Sequence, residues 1–163
     1  MERTARLAGF IAAHAIWSVS DGEVLVTMVG SEAGDGQRKL DRILTERIEE
    51  SVVQGREQLL KNPQHAARAA LAFDGYVTLP DGKTDAVFIE AREYSASGAQ
   101  PFEIAIPYRS AKAAGGFAVY RPKLVKVPPD MTDCNALLDA FWHGVDSHTK
   151  AAEVWNAHID QSR

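Results

Sequence analysis

Apolar positions along the first thirty residues change from helical spacing to strand-like alternation. Helical spacing places the apolar residues Leu7, Phe10 and Ile11 on one side of a first helix. These positions predict a helix over residues 3–13. Asp21-Gly22 is a strong signal for a two-residue hairpin turn. Folding the chain there pairs Trp17 with Val26 on an apolar face, while the alternate pairs are more polar. We therefore predict a hairpin over residues 15–28.

The middle of the chain predicts a loop, a second helix and a set of strands. Gly30 to Gln37 is rich in glycine and polar residues and predicts a loop. An apolar stripe with period 3.6 predicts a helix over Arg38 to Lys61, which Asn62-Pro63 would end. Alternation with period two then predicts four strands, which are Leu71–Leu79, Lys83–Tyr94, Phe102–Arg109 and Phe117–Val127.

Two further helices are predicted at the end of the chain, at about Thr132 to His143 and Ser147 to Ile159. The complete order is α-ββ-α-ββββ-αα, with a hairpin followed by a four-strand meander. Sequential strands joined by short turns pair antiparallel. The pattern therefore predicts an α+β fold of two layers with a mainly antiparallel sheet, and residues 1–163 as a single domain.

Composition excludes several classes of partner. Of 163 residues, 45% are hydrophobic and 25% charged, and the net charge is −4. This balance gives no general attraction to nucleic acid or to an anionic membrane, so neither is predicted as a partner. The single cysteine, Cys134, excludes an internal disulfide and favours a reducing, cytoplasmic location.

Motifs for cofactors and metals are incomplete. Gly30 to Lys39 lies where a phosphate-binding loop would lie, but neither the phosphate-loop nor the dinucleotide pattern is satisfied. His143 and His148 are five residues apart, which places them about 140° apart on a helix unless Gly144 breaks it. We therefore predict no cofactor and no metal. His14 is expected to fill a structural position, with a catalytic role as the alternative.

Two carboxylates are the strongest candidates for catalysis. Glu90 and Glu103 fall on neighbouring predicted strands and could approach each other, with Arg92 and Arg109 near them. Paired acids perform general acid–base chemistry in a dry, concave site. On a solvated sheet face, the same residues form ordinary cross-strand contacts, and we favour that interpretation.

The strands after Ile104 carry an unusual block of basic residues without an acid up to Pro129. We predict from this block an anion-binding set consisting of Arg109, Lys112, Arg121 and Lys123. Its ligand would be an anionic small molecule or an acidic protein partner. The alternative, which we favour, is that these cations protect an edge strand from aggregation and face the acidic helices that follow.

These observations favour a small soluble module that binds a ligand or partner without catalysing a reaction. The alternative is a small enzyme that acts on an anionic substrate, with Arg109 and Arg121 binding the anion and Glu90 or Glu103 as acid or base. An edge strand and strand residues that are apolar on both faces also predict a homodimer.

Overall fold

The structure is a computed structural model that describes residues 1–95, 101–129 and 131–162. Within these ranges the helices are α1 (Glu2–Val19), α2 (Ile48–Lys61), α3 (Cys134–Asp146) and α4 (Thr149–His158). The strands are β1 (Met28–Glu32), β2 (Arg38–Arg42), β3 (Arg68–Leu79), β4 (Gly82–Glu93), β5 (Phe102–Arg109), β6 (Ala118–Val119) and β7 (Lys123–Lys126).

In the described ranges, seven strands form an antiparallel sheet in the order β2-β1-β3-β4-β5-β6, and β7 also pairs with β5. β6 and β7 contact different parts of one edge of β5, because Pro122 falls between them. The predicted strand Phe117–Val127 is thus divided in two. The structure confirms the predicted α+β class, the antiparallel sheet and the order of helices and strands.

The predicted hairpin over residues 15–28 is wrong, because α1 continues to Val19. The buried alanines of this helix are Ala5, Ala8, Ala12, Ala13 and Ala15. Alanine is the best helix former, and tertiary burial overrides the strand preference of Val19. The Asp21-Gly22 signal is a real turn, since Gly22 has φ +89° and donates from its N–H to the carbonyl of Val19 at 3.0 Å. It ends a helix instead of joining two strands.

The first hairpin lies instead between β1 and β2, so the predicted helix over Arg38 to Lys61 is too long. Only Ile48–Lys61 is helical, and the first five residues of the predicted helix form β2. Gly36, with φ +90°, allows the tight loop, and Ala33 N–H donates to the Gln37 carbonyl at 2.9 Å. The apolar positions are spaced as in a helix, but pairing with β1 overrides this spacing and leaves Leu40 and Ile43 on opposite faces of the sheet.

The helices cover both faces of the sheet unequally. α1, α3 and α4 pack on one face in the larger core, against strand residues that include Met28, Ala70, Ile89 and Ile104. α2 packs on the other face in a smaller core around Leu71. Neighbouring positions of β3 point to opposite faces, which is why both cores draw on the same strand. α2 thus adds a partial third layer to the two that the sequence predicts.

α1 crosses α3 with the two backbones in direct contact. A β-carbon added to Gly9 would lie 1.9 Å from the carbonyl oxygen of Phe141, and one added to Gly144 would lie 2.0 Å from that of Arg6. Both distances are far below van der Waals contact, so only glycine fits at either position. This crossing fixes the height and angle at which α1 lies between α3 and the sheet.

A row of alternating charges runs across four neighbouring strands at one end of the sheet. Arg38 Nε donates to Glu32 Oε2 at 2.7 Å, and Arg68 donates to the other oxygen of Glu32. Arg68 is paired in register with Glu93 of β4, which accepts a 3.3 Å hydrogen bond from the hydroxyl of Thr4. Glu32 and Arg68 are 8% and 6% exposed, so each neutralises the other in a buried place.

We predict that Gly9→Ala and Gly144→Ala each lower the free energy of unfolding by about 1–3 kcal/mol, the usual cost of overpacking. The added methyl group would meet backbone atoms that cannot rotate away. Thermal unfolding followed by circular dichroism measures the loss. Gly34→Ala is the matched control, because no atom lies within 4 Å of a β-carbon there. Equal melting temperatures for the control and the Gly144 variant would contradict the prediction.

Candidate functional site

One side of α1 presents a group of rings next to the N-terminus of α4. Phe10, His14 and Trp17 are spaced four and three residues apart, so they follow one another along the same face of the helix. His148, the residue that precedes α4, completes the group. We call Phe10, His14, Trp17 and His148 the histidine–aromatic cluster. Trp17 is 39% exposed, so the cluster is open to solvent.

The two histidines of the cluster are in direct contact. His14 Nδ1 lies 3.0 Å from His148 Nε2, a hydrogen bond that joins α1 to the start of α4. The ring of Phe10 stacks on His148 with centroids 4.7 Å apart, and Trp17 makes an edge-to-face contact with each histidine ring at a centroid distance of 5.8 Å. One imidazole must donate and the other must accept, so at least one of them is neutral at this contact.

The second nitrogen of His14 has no partner among the described residues. His14 Nε2 is buried and has no hydrogen-bond partner within the described part of the chain. Burial lowers the pKa of His14 below its ordinary value of 6.5, and the nearby His148 and Arg42 lower it further. His14 is therefore neutral at pH 7, with an unused buried polar atom, and such atoms are uncommon in proteins.

The edge strand β2 brings two arginines to the same side. Arg38, Leu40 and Arg42 are paired with Glu32, Gly30 and Met28 of β1. Gly30 lies directly beneath α1, since an added β-carbon would be 2.2 Å from Ile11 Cδ1. The guanidinium carbon of Arg38 lies 4.7 Å from the centroid of Phe10. We call Arg38 and Arg42 the arginine rim.

The charges of the two rim arginines are balanced differently. Arg38 is paired with Glu32 at 2.7 Å. For Arg42, the described residues supply no carboxylate within 4 Å, and its charge acts on His14. Next to Arg38, a surface cavity of about 530 Å³ lies at the N-terminal end of α1 and is also lined by Arg3 and Asp35. Of the two rim arginines, Arg42 is the one whose charge is left for an anion.

The structure places Glu90 and Glu103 directly opposite each other on β4 and β5. They lie on the face that carries α2, and Arg56 Nε donates to Glu90 at 2.7 Å. Burial raises the pKa of Glu103, and the charge of Glu90 raises it further. Arg109 is six residues from Glu103 on one strand, about 20 Å away. The two acids are thus brought together, but without the predicted Arg109.

The four predicted anion-binding residues are placed apart from one another. Arg109 Nε and Nη2 donate to the carbonyls of Gly116 and Gly115 at 2.7 and 3.0 Å, so this side chain holds the loop that follows β5. Lys112 is exposed and lies against Gly22. Arg121 and Lys123 are exposed on either side of Pro122. Anion binding by these four residues stays a prediction.

The remaining histidine and cysteine candidates are also located. His148 contacts His14 and not His143, the neighbour in sequence that the metal hypothesis considered. Cys134 is half-buried with a free thiol. Within the described ranges, no group of three or more histidine, cysteine or acidic side chains could hold a metal ion.

Sequence reasoning missed the arginine rim and the contact between His14 and His148. The rim lies in a segment predicted as helix, where Arg38 and Arg42 would have been ordinary solvated charges. The spacing of Phe10, His14 and Trp17 was the available signal, and it needed α1 to continue past residue 13.

No family model matches this chain, and no curated protein or solved structure matches it either. Among the described residues, no helix is both long enough and apolar enough to span a membrane.

We predict that His14 makes stability fall as the pH is lowered from 7.5 to 5. Because burial lowers the pKa of His14 in the fold, the unfolded chain binds the proton first. The stability due to neutral His14 is therefore fully present above about pH 6.5 and is lost as the pH falls toward the lower, folded-state pKa. The stability of His14→Gln, compared with wild type by urea unfolding, should depend less on pH over this interval.

His143→Gln is the control for this measurement, since it makes the same change at an exposed histidine. If both variants followed the pH dependence of the wild type, His14 would not be the group responsible.

Proposed function

We propose that this chain is a non-catalytic binding module and that the histidine–aromatic cluster with the arginine rim is its ligand site. The observation that carries this proposal is the position of Arg42. The charge of its guanidinium acts on His14, whose Nε2 is buried without a described partner. No described carboxylate lies within 4 Å of the guanidinium to neutralise it. A site with unused donors and an uncompensated cation favours an anionic ligand.

The chemistry of the site indicates what kind of anion fits. A guanidinium forms paired hydrogen bonds to carboxylate or phosphate oxygens. Trp17 is partly exposed beside both histidines and offers an apolar surface. The ligand class is therefore a phosphate or carboxylate that carries an aromatic or other apolar group.

The alternative proposal is an enzyme that uses Glu90 and Glu103. The raised pKa of Glu103, which burial and the charge of Glu90 both cause, supports a role as a general acid. Against it, Glu90 is already bonded to Arg56, and Arg109 bonds to its own loop. The pair lacks the anion-binding arginine that the alternative requires, so we favour the binding module.

Phenyl phosphate tests the ligand site. We expect it to change the fluorescence of Trp17, and we expect Arg42→Gln to weaken binding about tenfold, the equivalent of one charge-assisted hydrogen bond of about 1.4 kcal/mol. Fluorescence titration measures the dissociation constant, and Trp17→Phe identifies the reporting side chain. Lys39→Gln is the matched control, because it removes a cation from the same strand on the opposite face. Equal weakening by both variants would indicate only general charge attraction.

We also propose that the protein is cytoplasmic and forms a homodimer through the outer face of α2. The free thiol of Cys134 is compatible with a reducing compartment. Val53 and Leu60 lie on one side of α2 and are 65% and 66% exposed, which is unusual for large apolar side chains on a short helix. Burial against a second copy would remove this surface from water.

Light scattering tests the dimer. We expect a dimer mass for the wild type at high micromolar concentration and a monomer mass for Leu60→Glu, because a buried charge opposes association. Thr78→Glu adds the same charge at an exposed strand position and should remain dimeric. A monomer mass for the wild type would contradict the proposal.

A further inference from the structure

The edge strand β2 has unused backbone hydrogen bonds that belong to the same residues as the arginine rim. Ala33 N–H donates to the Gln37 carbonyl, and Ile43 N–H donates to that of Thr27. Antiparallel pairs alternate between bonded and non-bonded residues, so Lys39 and Asp41 direct their backbone groups to β1. Arg38, Leu40 and Arg42 therefore direct theirs outward, where β2 ends the sheet of described strands.

A strand added to this edge would place alternate side chains next to the rim. Residues directly opposite each other in a sheet project to the same face. The residues opposite Arg38, Leu40 and Arg42 would thus lie on the side of α1 and the histidine–aromatic cluster. Leu40 is 37% exposed between the two arginines. A five-residue strand complementary to β2 would therefore have acidic residues at its first and fifth positions and an apolar residue at its third.

Charge opposes a second copy of this chain as the added strand. Antiparallel pairing of β2 with itself about Leu40 would place Arg38 directly opposite Arg42 at both ends. Like charges directly opposite are destabilising in a sheet. The same cations that protect this edge from self-association select an acidic partner.

We propose that β2 accepts an extended acidic segment of another protein as an eighth strand, with its acidic side chains on Arg38 and Arg42. This partner rests on the proposed function, because it uses the same site. Main-chain hydrogen bonds to the outward groups of β2 would supply affinity, and the alternating side chains would supply specificity.

The test uses short peptides with blocked ends and the pattern Asp-Thr-Val-Thr-Asp. We expect this peptide to bind the wild-type protein and the version with lysine in place of both aspartates not to bind. Methylation of the valine backbone nitrogen keeps every charge but removes a main-chain donor. We expect it to weaken binding at least tenfold, as measured by fluorescence anisotropy of labelled peptides. Equal binding of the methylated and unmethylated peptides would overturn strand addition.

A protein variant tests the same hydrogen bonds from the other side. Leu40→Pro removes an outward N–H that β1 does not use, and proline is tolerated at such edge positions. We expect it to abolish peptide binding while circular dichroism shows a folded chain, whereas Leu40→Ala retains most binding. Equal binding by the two variants would count against the proposal, and the methylated peptide decides if Leu40→Pro does not fold.

Phenyl phosphate separates the two proposals. Binding of phenyl phosphate without the acidic peptide overturns the strand proposal and leaves the anion site intact. Failure of both ligands overturns both proposals.

Discussion

The close approach of α1 and α3 at Gly9 and Gly144 is the contact on which the remaining architecture depends. It lets a helix that is buried along most of its length lie between α3 and the sheet, with backbone against backbone. Helices held apart by side chains normally lie 8–10 Å apart at their axes. On its other side α1 packs onto Gly30, where Ile11 fills the space of a missing side chain. The position of the candidate site follows from this packing.

The site exists because α1 runs past the edge of the sheet at the level of β2. A helix that stopped at residue 13 would leave His14 and Trp17 in another element, away from His148. Its continuation brings the imidazole of His14 against that of His148, with the indole of Trp17 beside both rings. None of these groups is unusual alone. Their combination with Arg42, for which the described chain offers no carboxylate within 4 Å, is the basis on which we propose a ligand site.

The sequence predicts the second half of the fold better than the first. β5 has the predicted bounds, α2 ends at Lys61 before Asn62-Pro63 as expected, and α3 and α4 lie near their predicted positions. In these segments, the local pattern and the tertiary environment favour the same structure. In the first 47 residues, Asp21-Gly22 fits both the end of a helix and the turn of a hairpin, and the helical spacing of Leu40 and Ile43 is overridden when β2 pairs with β1. The arginine rim could not be predicted because it depends on that decision.

The charge row across β2, β1, β3 and β4 has a consequence for how the sheet assembles. If β1 slipped by two residues against β3, Arg68 could face Gly30, and its guanidinium would be buried without Glu32. An uncompensated buried charge costs several kcal/mol. A sheet paired in this register would therefore be unstable even where its apolar side chains still packed together. The strands would dissociate more readily from it than from the native register. The buried pair of Glu32 and Arg68 thus favours the native register of β1 against β3, independently of what it adds to the stability of the folded protein.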